Sequence, residues 1–469
     1  MIFASLLFLF IFLPLNLILY FTLPGLKAKN AVLIAFSLIF YAWGEPVWVI
    51  LLILSAFLDY NNAKFIQKYR GTPKATAFLL LTIIVDIGIF TVFKYSGFLI
   101  SNLNLFPFIN LKVPRFALPV GISFYTFQTL TYVIDVYRGK IDAQPKFSKY
   151  LLYLSLYFQL VAGPIVRYTD VAREIEHRNL SVPRFSHGIY RFATGLGKKV
   201  IIANAAGVFV DKYMTGDVSN LSTLGAWVGI IMYTIQLYFD FSGYSDMAIG
   251  LGKMFGFDFP ENFNYPYISK SVSEFWRRWH MTLGSFFRDY VYIPLGGNKK
   301  HVYRNLLIVW FLTGFWHGAD WNFIIWGLYN GLFIILERLA KNWFEKIPAI
   351  FRHIYLLLVV TTGFVFFKFT NLSHAFNYLK VMFTGSNSFS DLDLNLQLTG
   401  NIFWIIIAVI LCMPVMKKIE ELYIRANRGP AVVNISCNII RIALIFALII
   451  ASTAHLTGNS FNPFLYNAF

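Results

Sequence analysis

Charged residues are scarce in this chain: they make up 13% of its 469 residues, against roughly 25% in an average soluble domain. That deficit excludes an ordinary soluble enzyme, which needs a polar surface. Cysteine is also rare. Cys412 and Cys437 are the only two; they lie in or beside apolar stretches, without metal-ligand spacing, so a disulfide scaffold and a zinc module are excluded. No G-x-S-x-G elbow, H-E-x-x-H pair or phosphate-binding P-loop occurs. Gly250-Leu-Gly-Lys253 lacks the P-loop spacing and reads as helix packing. No internal repeat stands out, no linker separates two soluble domains, and no metal is expected.

Apolar sequence is what remains. Hydrophobic residues are 57% of the chain. Long apolar stretches recur from end to end: Ile2–Leu23, Ala31–Tyr41, Val47–Leu58, Ala75–Phe93, Phe116–Val136, Ala226–Phe241, Leu306–Phe315, Phe323–Leu336, Ile354–Phe369, Ile402–Met416 and Ile439–Ala451. Crossing the hydrocarbon takes about 20 apolar residues, so the expectation is about eleven spans, some tilted or re-entrant. The first stretch has no basic leader and no small-residue cleavage site, and reads as a retained helix starting outside.

The net charge of +17 follows from the Lys and Arg that accumulate in cytoplasmic loops of membrane proteins. No nucleic-acid module is recognisable, and no nucleic-acid partner is expected. Basic clusters at Lys27/Lys29, at Lys64–Lys74, in a polar loop from Arg167 to Arg191, at Lys341–Arg352 and at Lys417–Arg428 read as cytoplasmic. Thr384–Gly400 carries Asp391 and Asp393 but no Lys or Arg, which fits an outer location. Residues 457–469 then form an outer tail, and Leu372–Met382 an amphipathic helix at the outer interface.

Polar residues inside apolar sequence carry the functional signal, because an ionisable group at membrane depth is expensive. Thr313-Gly-Phe-Trp-His-Gly-Ala-Asp-Trp-Asn322 sets His317 between two strongly apolar segments. A neutral imidazole there suits general-base work; the bland alternative is a histidine hydrogen-bonded for packing. Ser271-Val-Ser-Glu-Phe-Trp-Arg-Arg-Trp-His280 predicts an amphipathic helix, and Pro294, Gly296 and Gly297 predict a broken helix beyond it. Broken helices at membrane depth line cavities. Trp276, Arg277, Arg278, Arg288, Lys299, Lys300 and Arg304 can hold phosphates there, although positive-inside charge accounts for half of them equally well. Asp240-Phe-Ser-Gly-Tyr-Ser-Asp246 needs internal partners and reads as a structural network. The pairs Gly225/Gly229 and Gly252/Gly256 read as close helix packing.

Several stretches together resemble the membrane-bound O-acyltransferase (MBOAT) family, and within it the alginate O-acetylase group. They are Leu118–Gln128, Gln159–Arg167, Phe239–Gly250, Pro260–Pro266, Glu274–His280, Arg288–Gly297 and Trp316-His-Gly318. The resemblance implies an all-α integral membrane protein: one domain over 1–469, with a ring of tilted helices and re-entrant pieces around a central channel. It implies His317 as the essential histidine, His280 as a second catalytic group and acetyl-CoA as the cytoplasmic acyl donor. It also implies a bacterial inner-membrane location and an extracytoplasmic SGNH-type acetyltransferase partner for an exported polysaccharide. At the C-terminus, Phe464-Leu-Tyr466-Asn-Ala-Phe469 resembles the F-x-Y-x-x-F tail of cell-envelope acylation systems, which implies Tyr466 as an acyl carrier; the alternative is an aromatic interface anchor. Two rival functions stay open: D-alanyl or other acyl transfer to an envelope polymer, and transport of an intact solute.

Overall fold

A computed structural model describes residues 1–114, 116–161, 163–385, 388–426 and 431–458. Among the described residues every regular element is helical. The cause is the solvent: with no water in the hydrocarbon, backbone N–H and C=O groups must be satisfied within the segment. The principal helices are α1 (Phe8–Thr22), α2 (Gly25–Gly44), α3 (Trp48–Lys68), α4 (Pro73–Lys94), α5 (Ile122–Tyr137) and α6 (Phe147–Ser155). α7 (Val182–Met214) and α8 (Thr223–Phe255) are long. Beyond them come α9 (Val272–Arg278), α10 (Met281–Phe287), α11 (Val302–His317), α12 (Trp321–Leu339), α13 (Ala349–Lys368), α14 (Leu372–Thr384), α15 (Leu392–Gly400), α16 (Ile402–Leu411) and α17 (Val432–Gly458).

The chain divides into two units. Among the described residues, unit 1 is Met1–Phe192 with Tyr244–Pro260, and unit 2 is Ala193–Gly243 with the chain from Glu261 to Gly458. Both α7 and α8 pass from one unit into the other. In unit 1, Tyr20 Oη donates to the Phe255 carbonyl at 2.8 Å. Arg178 donates to the same hydroxyl and lies 4.4 Å from the Phe257 ring centre. Arg191 pairs with Asp246 at 2.6 Å. In unit 2, Lys199 pairs with Asp240 at 2.7 Å, and both are almost wholly buried. Tyr378 Oη donates to the Ala226 carbonyl at 2.8 Å, and Trp227 Nε1 to the Met382 carbonyl at 2.9 Å; together they fasten α14 along α8.

Every apolar stretch named above contains or overlaps a helix. Among the described residues, seven helices are long and apolar enough to cross a membrane, or eight if α15 and α16, bent by 63°, count as one. This is below the expected number because α1, α5 and α11 are short. α5 begins only at Ile122, since Pro119 and Gly121 (φ +79°) precede it.

The polar loop expected up to Arg191 is instead partly helix. α7 begins at Val182 and carries a membrane-length apolar stretch that sequence reading missed. Arg191 and Lys199 interrupt its hydropathy, yet each is neutralised by a carboxylate of α8 within its own unit. The network expected around Asp240 and Asp246 is therefore made of ion pairs. Removing one partner of such a buried pair leaves an uncompensated charge and costs about 3–5 kcal/mol.

Candidate functional site

Short helices and sharp turns position the site, all within unit 2. Ser271 starts α9: its Oγ accepts from the Glu274 N–H at 3.0 Å, and Glu274 accepts in turn from the Lys270 N–H at 3.0 Å. This reciprocal arrangement is a capping box shifted by one residue. Glu337, a buried acid on α12, also accepts from the first turn of α9, at 2.9 Å from Ser273 N and 2.8 Å from Ser273 Oγ. An anion at helix N–H groups is stabilised by them and by the helix dipole, so α9 is fixed to α12. Trp276 Nε1 adds a bond to Asn330 Oδ1 at 3.0 Å, and its ring meets Trp310 and Trp326 edge-on at centroid distances of 5.0 and 5.3 Å.

α9 ends at Arg278, and His280 turns the chain into α10 with φ +46° and ψ +53°. A left-handed backbone at a residue with a Cβ is uncommon and persists only where its surroundings enforce it. Asn262 supplies much of that enforcement. Its Oδ1 lies 3.0 Å from His280 Nδ1 and accepts from Thr282 Oγ1 at 2.9 Å and Thr282 N at 3.3 Å. Because the Thr282 amide can only donate, the Asn262 atom is the oxygen. His280 Nδ1 therefore carries the hydrogen and Nε2 is the basic nitrogen.

His317 closes α11, and α11 and α12 approach with almost nothing between their backbones. A Cβ on Gly314 would stand 2.3 Å from the Phe323 carbonyl oxygen, and one on Gly327 would stand 2.3 Å from the Trp310 carbonyl oxygen. Small residues of this kind let membrane helices touch. Gly318 is equally constrained, since a Cβ there would fall 2.1 Å from the Phe323 ring. The His317 imidazole lies edge-on to Trp326 and Phe367, at 5.0 and 5.2 Å between ring centres, and next to Trp316 at 4.9 Å. His280 and His317 are 2% and 4% exposed, so both imidazoles are held in an apolar, aromatic frame.

The two histidines line one cavity of about 340 Å³. Trp276, Arg277, Arg288 and Tyr292 line it as well, with Ser273, Thr313 and apolar side chains completing the wall. Arg277 is exposed and makes no ion pair among the described residues; its Nε donates to the Ser273 carbonyl at 3.1 Å. Arg278 faces away from the lining and pairs with Glu274 at 2.9 Å. Lys299 and Lys300 are exposed on the turn after Pro294 and do not line the cavity. Arg288, which does, is matched by Asp289 at 2.7 Å. Of the phosphate-holding residues expected from sequence, Trp276, Arg277 and Arg288 meet the histidines on the cavity wall, while Arg278, Lys299, Lys300 and Arg304 do not line it. Tyr466 lies outside the described residues.

Sequence reasoning missed Asn262, Asn330 and Glu337 as positioning groups. Glu337 had a legible signal, an acid at the end of an apolar stretch. Asn262 fell within the matching stretch Pro260–Pro266, but its side-chain role was not readable there, because that role arises from a turn.

Comparison with known proteins follows this geometry. The family model described as "MBOAT, membrane-bound O-acyltransferase family" matches residues 140–379, which contain the whole cavity lining. A probable alginate O-acetylase of Pseudomonas putida is 39% identical over 100% of both chains. Another, of Azotobacter vinelandii, is 36% identical over 100% of both. A peptidoglycan O-acetyltransferase of Helicobacter pylori is 35% identical over 81% of this chain and 80% of its own.

Proposed function

The chain belongs to the membrane-bound O-acyltransferase family, and from that premise we propose that it takes acetyl from cytoplasmic acetyl-CoA and passes it across the bilayer for O-acetylation of an exported polysaccharide. As a multi-pass O-acyltransferase it acts in a membrane; the bacterial inner membrane is the location this reading requires. The observation that carries it is that His280 and His317 line one cavity together with the exposed Arg277.

Arg277 offers a guanidinium to the phosphates of the donor, and Trp276 a flat apolar wall beside them. His317 takes the proton of the acceptor hydroxyl as the oxygen attacks the thioester carbonyl. The tetrahedral intermediate collapses, the C–S bond breaks, and the departing thiolate takes the proton from the imidazolium. The sum is thioester plus alcohol giving ester plus thiol, with no net proton. His280, with Nδ1–H committed to Asn262, presents Nε2 as an acceptor and so orients a hydroxyl rather than polarising a carbonyl. The aromatic frame excludes water that would otherwise hydrolyse the thioester.

Tyr466 is the outer acceptor in this account. A phenol ester is a reactive carrier from which an extracytoplasmic SGNH-type acetyltransferase can draw the acetyl group for the polymer hydroxyls. The relatives that act on alginate and on peptidoglycan favour an acetyl donor over D-alanine.

Two measurements test the reading. Purified protein offered acetyl-CoA or a D-alanyl carrier protein should release coenzyme A from the first and leave the second untouched; the opposite preference rejects the donor. Tyr466→Phe should abolish polymer acetylation in cells while the protein remains in the membrane at its normal level. Persistent acetylation rejects the carrier role.

A further inference from the structure

Two carboxyls are buried in unit 1, far from the histidine cavity in sequence and unused by the transfer chemistry. Asp59 on α3 is 1% exposed and Asp86 on α4 is 7% exposed. They are electrostatic neighbours of one another. Thr129 of α5 donates its hydroxyl to Asp86 Oδ2 at 3.0 Å. Asp59 Oδ2 is buried without a hydrogen-bond partner. Around the pair stand Tyr125 of α5 and Tyr150 of α6, both within electrostatic reach of both carboxyls. Their hydroxyls are also buried and without partners, and the two residues are 3% and 0% exposed. Tyr132 of α5 is a further electrostatic neighbour of Asp59, Tyr41 of α2 is one of Tyr125, and Tyr60 of α3 is one of Tyr132. Lys94 lies farther along α4, and its ammonium donates to Ser123. Among the described residues no Lys or Arg pairs with either carboxyl.

A buried carboxylate without donors costs several kcal/mol, and a second negative charge beside it costs more. Each buried ion pair of the fold solves this problem with a cation, as Lys199 does for Asp240. Here the lining offers only hydroxyls. One proton removes one of the two charges and turns an orphaned carboxyl into a donor. We propose that Asp59 and Asp86 form a proton-binding site, in which one of the two buried carboxyls carries a proton at neutral pH inside the spanning helices of unit 1. The acetyl transfer neither consumes nor releases a net proton, so this proton is not part of the catalytic balance. It is a resident of the fold that removes one of the two negative charges buried on α3 and α4.

Infrared spectroscopy of the full-length protein in lipid vesicles tests the site. Protein carrying a heavy-carbon label at the aspartate carboxyl should show a label-shifted C=O stretch of a protonated carboxyl at neutral pH. Asp59→Asn with Asp86→Asn should remove that band. Asparagine copies the shape of the protonated side chain, so both single variants should reach the membrane. Should the double variant fail to fold, each single variant must still shift or abolish the band. A labelled spectrum without such a band, or a band untouched by either substitution, overturns the proposal. So does a band that disappears on adding sodium chloride at constant pH, which would make the site one for a metal cation instead.

Discussion

His280 stands at a left-handed backbone position, and its side chain is set by one carboxamide. Asn262 Oδ1 gathers the imidazole N–H, the Thr282 hydroxyl and the Thr282 amide on one atom. The consequence is a fixed tautomer in which Nε2 is the basic nitrogen. Asn262→Ala should therefore lower kcat by up to about a hundredfold, as expected for a misoriented catalytic group, with little change in KM. Asn262→Asp keeps the accepting oxygen and should recover part of the loss. Steady-state coenzyme A release by the three proteins checks both statements; equal kcat in wild type and Asn262→Ala would remove the positioning role. At this scale His317 stood out in the sequence as an imidazole between apolar segments, while His280 follows a charged run and was reached through the family resemblance; both line one cavity. Asn262 did not stand out, since an asparagine beside a proline-flanked turn has no periodicity to betray it. The basic residues were legible only as a group: Arg277 lines the cavity, while Arg278 is matched by Glu274 and Lys299 and Lys300 stay in solvent.

The helix pair α11–α12 places His317, and glycine makes the pair possible. Gly314→Val would put a branched side chain where a single carbon already meets the Phe323 carbonyl at 2.3 Å. The helices must separate, and His317 moves with α11. Overpacking of this kind costs about 1–3 kcal/mol. We expect a lower midpoint of thermal aggregation in detergent and loss of coenzyme A release; unchanged stability and activity would show that the close approach does not matter. Elements were legible wherever apolar runs were unbroken, as in α4 and α13. α7 was hidden because its charges are paired with α8, and a sequence shows the arginine and lysine without the carboxylates that neutralise them. The glycine pairs singled out in sequence also missed this contact. Gly256 has φ +88° and serves a turn, while Gly314 and Gly327 form the tightest approach beside the site.

For the whole molecule, composition alone was enough to place the chain in a membrane, and the spread of matching stretches was enough to suggest its family. The number of membrane-crossing helices was less legible, because short helices such as α5 and α11 satisfy neither a length rule nor a hydropathy rule. The central claim is that acetyl enters on one face and leaves on the other through His317. It is tested by reconstituting the protein in sealed vesicles with radiolabelled acetyl-CoA outside, an acceptor polysaccharide and its soluble acetyltransferase inside, and reading the label on the enclosed polymer. Only molecules inserted with their cytoplasmic face outward contribute. The account predicts label on the enclosed polymer with the wild-type protein and a fall of about 10²–10⁴-fold with a folded His317→Ala variant, the range for removing a general base. Equal labelling by the two proteins would contradict it.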